Sequence, residues 1–187
     1  MNKNNPKYIV VHCSDVSYKT STDQLNSINT YHRDQRAFPK SSLGFYVGYH
    51  KLITNGKVNQ TRLDTDEGGH CNQFKDGVSM NFQSLGICIA FDGDVEIPTP
   101  ADSTMLRDEI WAWQDKYNIP TEKILFHRDM QPAKTCPGNL ITRLWLEQML
   151  FRVVKTPVKE VVKSELMVDK EQVLWLVALL RKYGFIK

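Results

Sequence analysis

Two histidines and one cysteine, far apart in the chain, have the chemistry of a metal centre. His12 lies in the apolar run Tyr8-Ile9-Val10-Val11-His12-Cys13-Ser14. His127 closes Ile124-Leu125-Phe126-His127, and Cys136 sits in Lys134-Thr135-Cys136-Pro137-Gly138. Imidazole and thiolate suit zinc. A structural zinc is closed by four protein ligands, whereas a hydrolytic one keeps a position for water. Three ligands without a fourth therefore point to a catalytic zinc and to an enzyme. Taken singly, each residue also has an ordinary reading: His12 as a satisfied strand histidine, Cys136 as a buried thiol.

The elements that must position these residues follow from the apolar pattern. Residues 8–13 read as a buried strand, on which His12 and Cys13 point to opposite faces; this argues against both binding one metal. Residues 23–35 read as a helix with Leu25, Ile28 and Tyr31-His32 on one side. A strand is expected over 48–54, turned by Asn55-Gly56, a strong two-residue hairpin signal, and returning through 57–60. Residues 84–91 are almost wholly apolar and read as a central strand. Thr99-Pro100 opens a helix that runs to Tyr117. A short strand over 123–127 and an amphipathic helix over 138–152 complete the series. This order predicts an α/β fold with a mixed central sheet flanked by helices. Residues 153–165 read as a linker and 169–183 as a C-terminal amphipathic helix stopped at Gly184. The expected division is thus a catalytic domain over 1–152 and a linker plus helix over 153–187.

A chain of 187 residues, 41% hydrophobic and 24% charged, suits one folded domain with a little to spare. The net charge of +3 lies in the tail, where 155–187 carries seven Lys/Arg and four Asp/Glu (7 − 4 = +3). The neutral remainder argues against general nucleic-acid binding. No apolar run approaches the ~20 residues of a membrane span, and Met1-Asn2-Lys3-Asn4-Asn5-Pro6 leads into no signal-peptide core. A cytoplasmic protein is expected, with its four cysteines unpaired; Cys88 reads as a small buried hydrophobe. The C-terminal helix suits docking on the domain or on a second copy, or contact with a membrane or cell envelope.

Several segments, in order, resemble one family. They are Ile9-Val10-Val11-His12-Cys13-Ser14, Val47-Gly48-Tyr49-His50, Asn81-Phe82-Gln83-Ser84-Leu85-Gly86-Ile87, and His127 through Cys136-Pro137. Together they resemble the zinc-dependent type-2 N-acetylmuramoyl-L-alanine amidases of the peptidoglycan-recognition-protein superfamily, above all the small amidase-type phage lysozymes. The resemblance spans about 8–151. It implies that His12, His127 and Cys136 hold one Zn2+, with water in the fourth position. It implies that Tyr49 reaches that water or the developing oxyanion, that Lys134 is catalytic, and that His70 binds substrate in the cleft. His50 and Asn81 are expected to be structural, and His32 is a weaker candidate. The substrate implied is bacterial peptidoglycan, cut at the amide between N-acetylmuramic acid and L-alanine. The context implied is a phage endolysin held in the host cytoplasm and released through a membrane pore. No glutamate stands in an obvious general-base position. One segment departs from the family: a Gly-Trp pair common before the Gly-Tyr-His stretch is replaced by Arg36-Ala37-Phe38-Pro39-Lys40-Ser41-Ser42-Leu43-Gly44-Phe45, a loop expected to border the substrate groove.

Two other readings compete. A non-catalytic peptidoglycan-binding module is one, and Cys136 counts against it because such relatives lack the cysteine. An interaction protein is the other, since some small phage lysozymes of this type also inhibit a phage RNA polymerase; no segment here identifies such a surface.

Overall fold

The computed structural model describes residues 3–16 and 23–152. The expected linker and C-terminal helix lie outside the described residues. Met1–Phe151 forms one compact unit.

Its centre is a five-stranded mixed sheet in the order β3-β2-β6-β1-β7. The strands are β1 (Tyr8–Cys13), β2 (Lys51–Thr54), β3 (Lys57–Gln60), β6 (Ser84–Ile89) and β7 (Ile124–Phe126). Strands β2, β6, β1 and β7 run parallel, and β3 returns antiparallel to β2. Asn55 and Gly56 both take positive φ, 52° and 68°, as a two-residue hairpin requires. All six residues of β1 and of β6 are buried, which is why both read as apolar runs rather than alternating ones. A second hairpin pairs β4 (Phe74–Lys75) with β5 (Val78–Ser79). Its signal in the sequence is Asp76-Gly77, where φ is 54° and 75°.

One face of the sheet carries Ile9, Val11, Ile53, Leu85, Ile87 and Ile89. It packs against Leu106, Ile110 and Trp113 of α2 (Pro100–Tyr117) and Leu146 and Leu150 of α4 (Arg143–Leu150). Thr99 caps α2 by accepting from the Asp102 amide, and Pro100 occupies its first turn. On the opposite face, Leu52 and Cys88 pack with Ile28 of α1 (Gln24–Asp34). Asp23 caps α1 through the Asn26 amide.

Three of the element boundaries that differ from expectation bear on the site. The strand expected from 48 begins at Lys51. The backbone at Gly48 crosses that of Gly69, so closely that a Cβ there would stand 2.5 Å from the Gly69 carbonyl oxygen; this crossing takes Tyr49 out of the sheet. The strand expected through His127 ends at Phe126, and His127 instead starts a short helix, α3 (His127–Met130). Asp129 enforces this by accepting from the Phe126 amide at 2.8 Å. The helix expected from Gly138 starts at Arg143, capped by Thr142. Gly138 has φ +108°, outside helical space.

Arg62 holds the loops on the second face, although nothing in its local sequence marks it. The residue is 1% exposed. It donates to the carbonyls of Val47 at 2.7 Å, Glu67 at 3.0 Å and Pro39 at 2.8 Å. Replacing it with leucine takes that donor from the buried Val47 carbonyl and from the partly buried Glu67 and Pro39 carbonyls. Urea unfolding of Arg62→Leu is expected to show a loss of about 3 kcal/mol or more, with an unchanged m-value.

Candidate metal centre

The register of the parallel strands assembles the cluster. Val11 of β1 pairs with Phe126 of β7, so the next residues, His12 and His127, stand side by side with ring centroids 4.6 Å apart. Both lie at the carboxyl ends of their strands, where parallel sheets place their ligands. Cys136 arrives from the loop after α3. Its Sγ lies 3.7 Å from His12 Nδ1 and accepts from the Cys13 amide at 3.3 Å. One ligand atom from each of His12, His127 and Cys136 lies within 4.8 Å of the others. Cys13 packs with Ile9 and Val11 in the core, the face that strand alternation predicts, and its thiol, beside Cys136, donates to the Asp15 carboxylate at 2.8 Å. The four cysteines are free and buried.

Two groups clamp the cysteine loop. The Arg128 amide donates to the Cys136 carbonyl at 2.9 Å, and its guanidinium reaches the carbonyls of Thr135 and Gly138. The Asp94 carboxylate accepts from the Thr135 hydroxyl at 2.6 Å and the Asn139 amide at 2.7 Å. These two bonds hold the Asp94 carboxyl below the usual carboxylate range. Gly93 and Gly138 meet backbone to backbone: a Cβ on Gly93 would stand 1.9 Å from the Pro137 oxygen. Neither Asp94, Arg128 nor Gly93 was singled out by sequence.

The donor set fits zinc. Two imidazole nitrogens and one sulfur converge, with His12 1% and Cys136 7% exposed, and three protein donors leave a fourth tetrahedral position open. Burial pushes His12 well below the ordinary histidine value, helped by neighbouring His127 and His70. His127 is lowered to about 4 by burial and by the Lys134 ammonium. Both are therefore neutral near pH 7, the form that binds metal.

The other expected residues gather around this cluster. The Tyr49 ring lies 5.0 Å from that of His12 and packs in the small apolar cluster that includes Cys88. Burial, then the nearby thiols, raise the phenol well above its ordinary value, so it remains a protonated donor. Lys134 is exposed above the cluster. His32 accepts from the Gly48 amide at 3.1 Å and props the bend that carries Tyr49. His70 is 7% exposed, with its Nδ1 3.0 Å from His12 Nε2. His50 is fully buried, accepting from the Gly86 amide and contacting the Asp66 carbonyl. Asn81 Oδ1 accepts from the amides of His70 and Cys71, the supporting part expected of it.

Two cavities, about 430 and 680 Å3, share His32, Arg36, Tyr49, His127 and Lys134 as lining. They form the arms of a groove with the cluster between them. Phe38 and Pro39 line the larger arm, so the departing loop does border the groove.

Buried neutral histidines also set an acid limit on the fold. Burial is the main cause that lowers His32 and His50 to about 4, from 6.5. Between these values the unfolded chain binds protons that the folded chain does not, so stability falls as pH drops from 6.5 to 4 and levels off below. Each group contributes on the order of 3 kcal/mol. Chemical unfolding of the metal-free protein should show this loss across that window.

Comparisons with known proteins agree with the geometry. The family model described as N-acetylmuramoyl-L-alanine amidase matches residues 2–139. Among solved structures, the N-acetylmuramoyl-L-alanine amidase LysC from Clostridium intestinale URNW is 27% identical with a TM-score of 0.62, over 79% of this chain and 86% of that one. The endolysin amidase LysCS from the same organism is 26% identical with a TM-score of 0.62, over 79% and 84%. The peptidoglycan recognition proteins LCa and LCx, solved with tracheal cytotoxin, share the fold at 16% identity and a TM-score of 0.62, over 77% and 84%. No curated protein sequence matches. A match over residues 2–139 takes in His12, His127 and Cys136, the bend of Tyr49 and Lys134, and on it the chain belongs to the N-acetylmuramoyl-L-alanine amidase family.

Proposed function

We propose that this protein is a phage-type endolysin that hydrolyses the amide between the lactyl group of N-acetylmuramic acid and L-alanine in bacterial peptidoglycan. The observation that carries the reading is the His12–His127–Cys136 cluster between two groove arms, in a chain of the amidase family. These three residues would hold zinc, which when bound would supply water activation at neutral pH and Lewis-acid polarisation of the scissile carbonyl.

The chain's own groups do the rest. His12 and His127 present neutral nitrogens, kept so by burial. Tyr49 donates its hydroxyl to the oxyanion that develops on the carbonyl oxygen. Lys134 places a cation at the same oxyanion and offers a proton to the leaving amine. The groove arms seat the glycan and the stem peptide on either side. His70 lines the larger arm. The compact unit ending at Phe151 supports 1–152 as the catalytic domain. Such a chain, made in the host cytoplasm, reaches its substrate through a membrane pore. No helix among the described residues is long and apolar enough to cross a membrane.

Metal analysis of the purified protein tests the zinc part, with lysis of isolated cell walls followed beside it. The reading expects one zinc per chain, and lysis that a chelator stops and added zinc restores. Lysis indifferent to the chelator would sink the zinc mechanism.

A further inference from the structure

We propose that His70 is a positioning residue for the metal centre: it accepts the Nε2–H of His12 and so keeps His12 Nδ1 turned toward Cys136 and the metal position. This rests on the zinc reading above. A ligating imidazole needs a lone pair on the nitrogen that faces the metal, and the proton must then sit on the other nitrogen. In His12 the nitrogen near Cys136 Sγ is Nδ1, at 3.7 Å. Nε2 therefore carries the proton, and what lies 3.0 Å beyond it is His70 Nδ1.

The rest of the arrangement fixes the direction of that bond. With Nδ1 as acceptor, His70 carries its proton on Nε2, which faces the Ser84 hydroxyl at 3.5 Å. Ser84 donates its own proton to the Met80 carbonyl at 2.5 Å, leaving an oxygen lone pair free for His70. Each group thus has one donor and one acceptor role, and the series ends on a backbone carbonyl. His50, whose ring centroid is 5.6 Å from that of His70, does not compete. Its Nδ1 takes the Gly86 amide and its Nε2 the Asp66 carbonyl.

The slot for the His70 ring is built into the backbone. A Cβ on Gly86 would stand 2.5 Å from the ring, and one on Gly68 2.6 Å from it. Gly86 lies inside a central strand, where glycine weakens packing and marks a close approach; here the group approaching is this imidazole. Both ring nitrogens are engaged within the protein, and only 7% of the residue is exposed. That leaves little of His70 for a substrate to hold and gives it a task toward His12.

Nitrogen-15 NMR of histidine-labelled, zinc-loaded native protein reads the tautomers directly. The proposal expects a protonated Nε2 on both His12 and His70. A proton on His70 Nδ1 would overturn it. Zinc affinity, from competition with a chromophoric chelator, is then compared between two polar variants that keep the slot hydrated and filled. His70→Asn puts an amide oxygen where Nδ1 stands and should stay within a few-fold of native. His70→Gln carries its amide toward Ser84, offers His12 no acceptor, and should lose about 10- to 100-fold in affinity. Equal affinity in both variants and the native protein also overturns the proposal, while leaving the amidase reading intact. A native protein that binds no zinc removes the zinc reading itself, and the role of His70 with it.

Discussion

Cys136→Ala will release both the metal and the activity. Among the described residues the Cys136 sulfur is one of three donors in the cluster, so its removal leaves two imidazoles, one of them partly exposed. Zinc content should fall from one per chain to a small fraction at micromolar protein. Cell-wall lysis should fall by more than about a thousandfold, because the water left behind returns from a pKa near 7 toward 15.7. The fold should survive, since Cys136 lies at the edge of the core and its loop keeps the Arg128 and Asp94 clamps. Circular dichroism separates the outcomes. A folded, zinc-free, inactive variant supports the account; a folded variant with native activity contradicts it.

The second large effect belongs to Tyr49. Tyr49→Phe keeps the ring beside His12 and removes only the hydroxyl that is held protonated at neutral pH. A donor aimed at developing negative charge is worth roughly 10²–10³ in kcat. Turnover should fall by that factor while zinc content and KM stay near native, if the hydroxyl acts as proposed on the transition state rather than on substrate or metal binding. Lys134→Met should behave alike, with one difference. Removing the cation that lowers His12 and His127 raises both histidines, so the acid limb of zinc binding moves to higher pH. A fall in affinity for substrate with unchanged kcat would instead place Tyr49 or Lys134 in binding.

What the sequence revealed depended on how local the cause was. The strand β1 was legible because six successive residues are buried on both faces, and α1 and α2 because Asp23 and Thr99 cap them where the apolar spacing begins. The hairpin at Asn55-Gly56 needed only two residues. The pairing of His12 with His127 depends on the register Val11–Phe126, which no local pattern encodes; the family resemblance supplied it. The same resemblance singled out Tyr49 but not its setting, because the bend there arises from a backbone crossing between Gly48 and Gly69. Arg62, Asp94 and Arg128 stayed hidden for a related reason. Each acts on carbonyls or amides distant in sequence, and any backbone offers those groups regardless of residue type. His70 was visible as a histidine near the cleft, but its bond to His12 appears only once the loop is folded over β6.

The chemistry of the cut tests the central claim most directly. Purified peptidoglycan is digested with the zinc-loaded protein and the products are identified by mass spectrometry. The account predicts stem peptides beginning with a free L-alanine amine, glycan chains carrying free lactyl carboxylates, and no new reducing ends. New reducing sugar ends, or cleavage within the peptide while the lactyl–alanine amide stays intact, would contradict it.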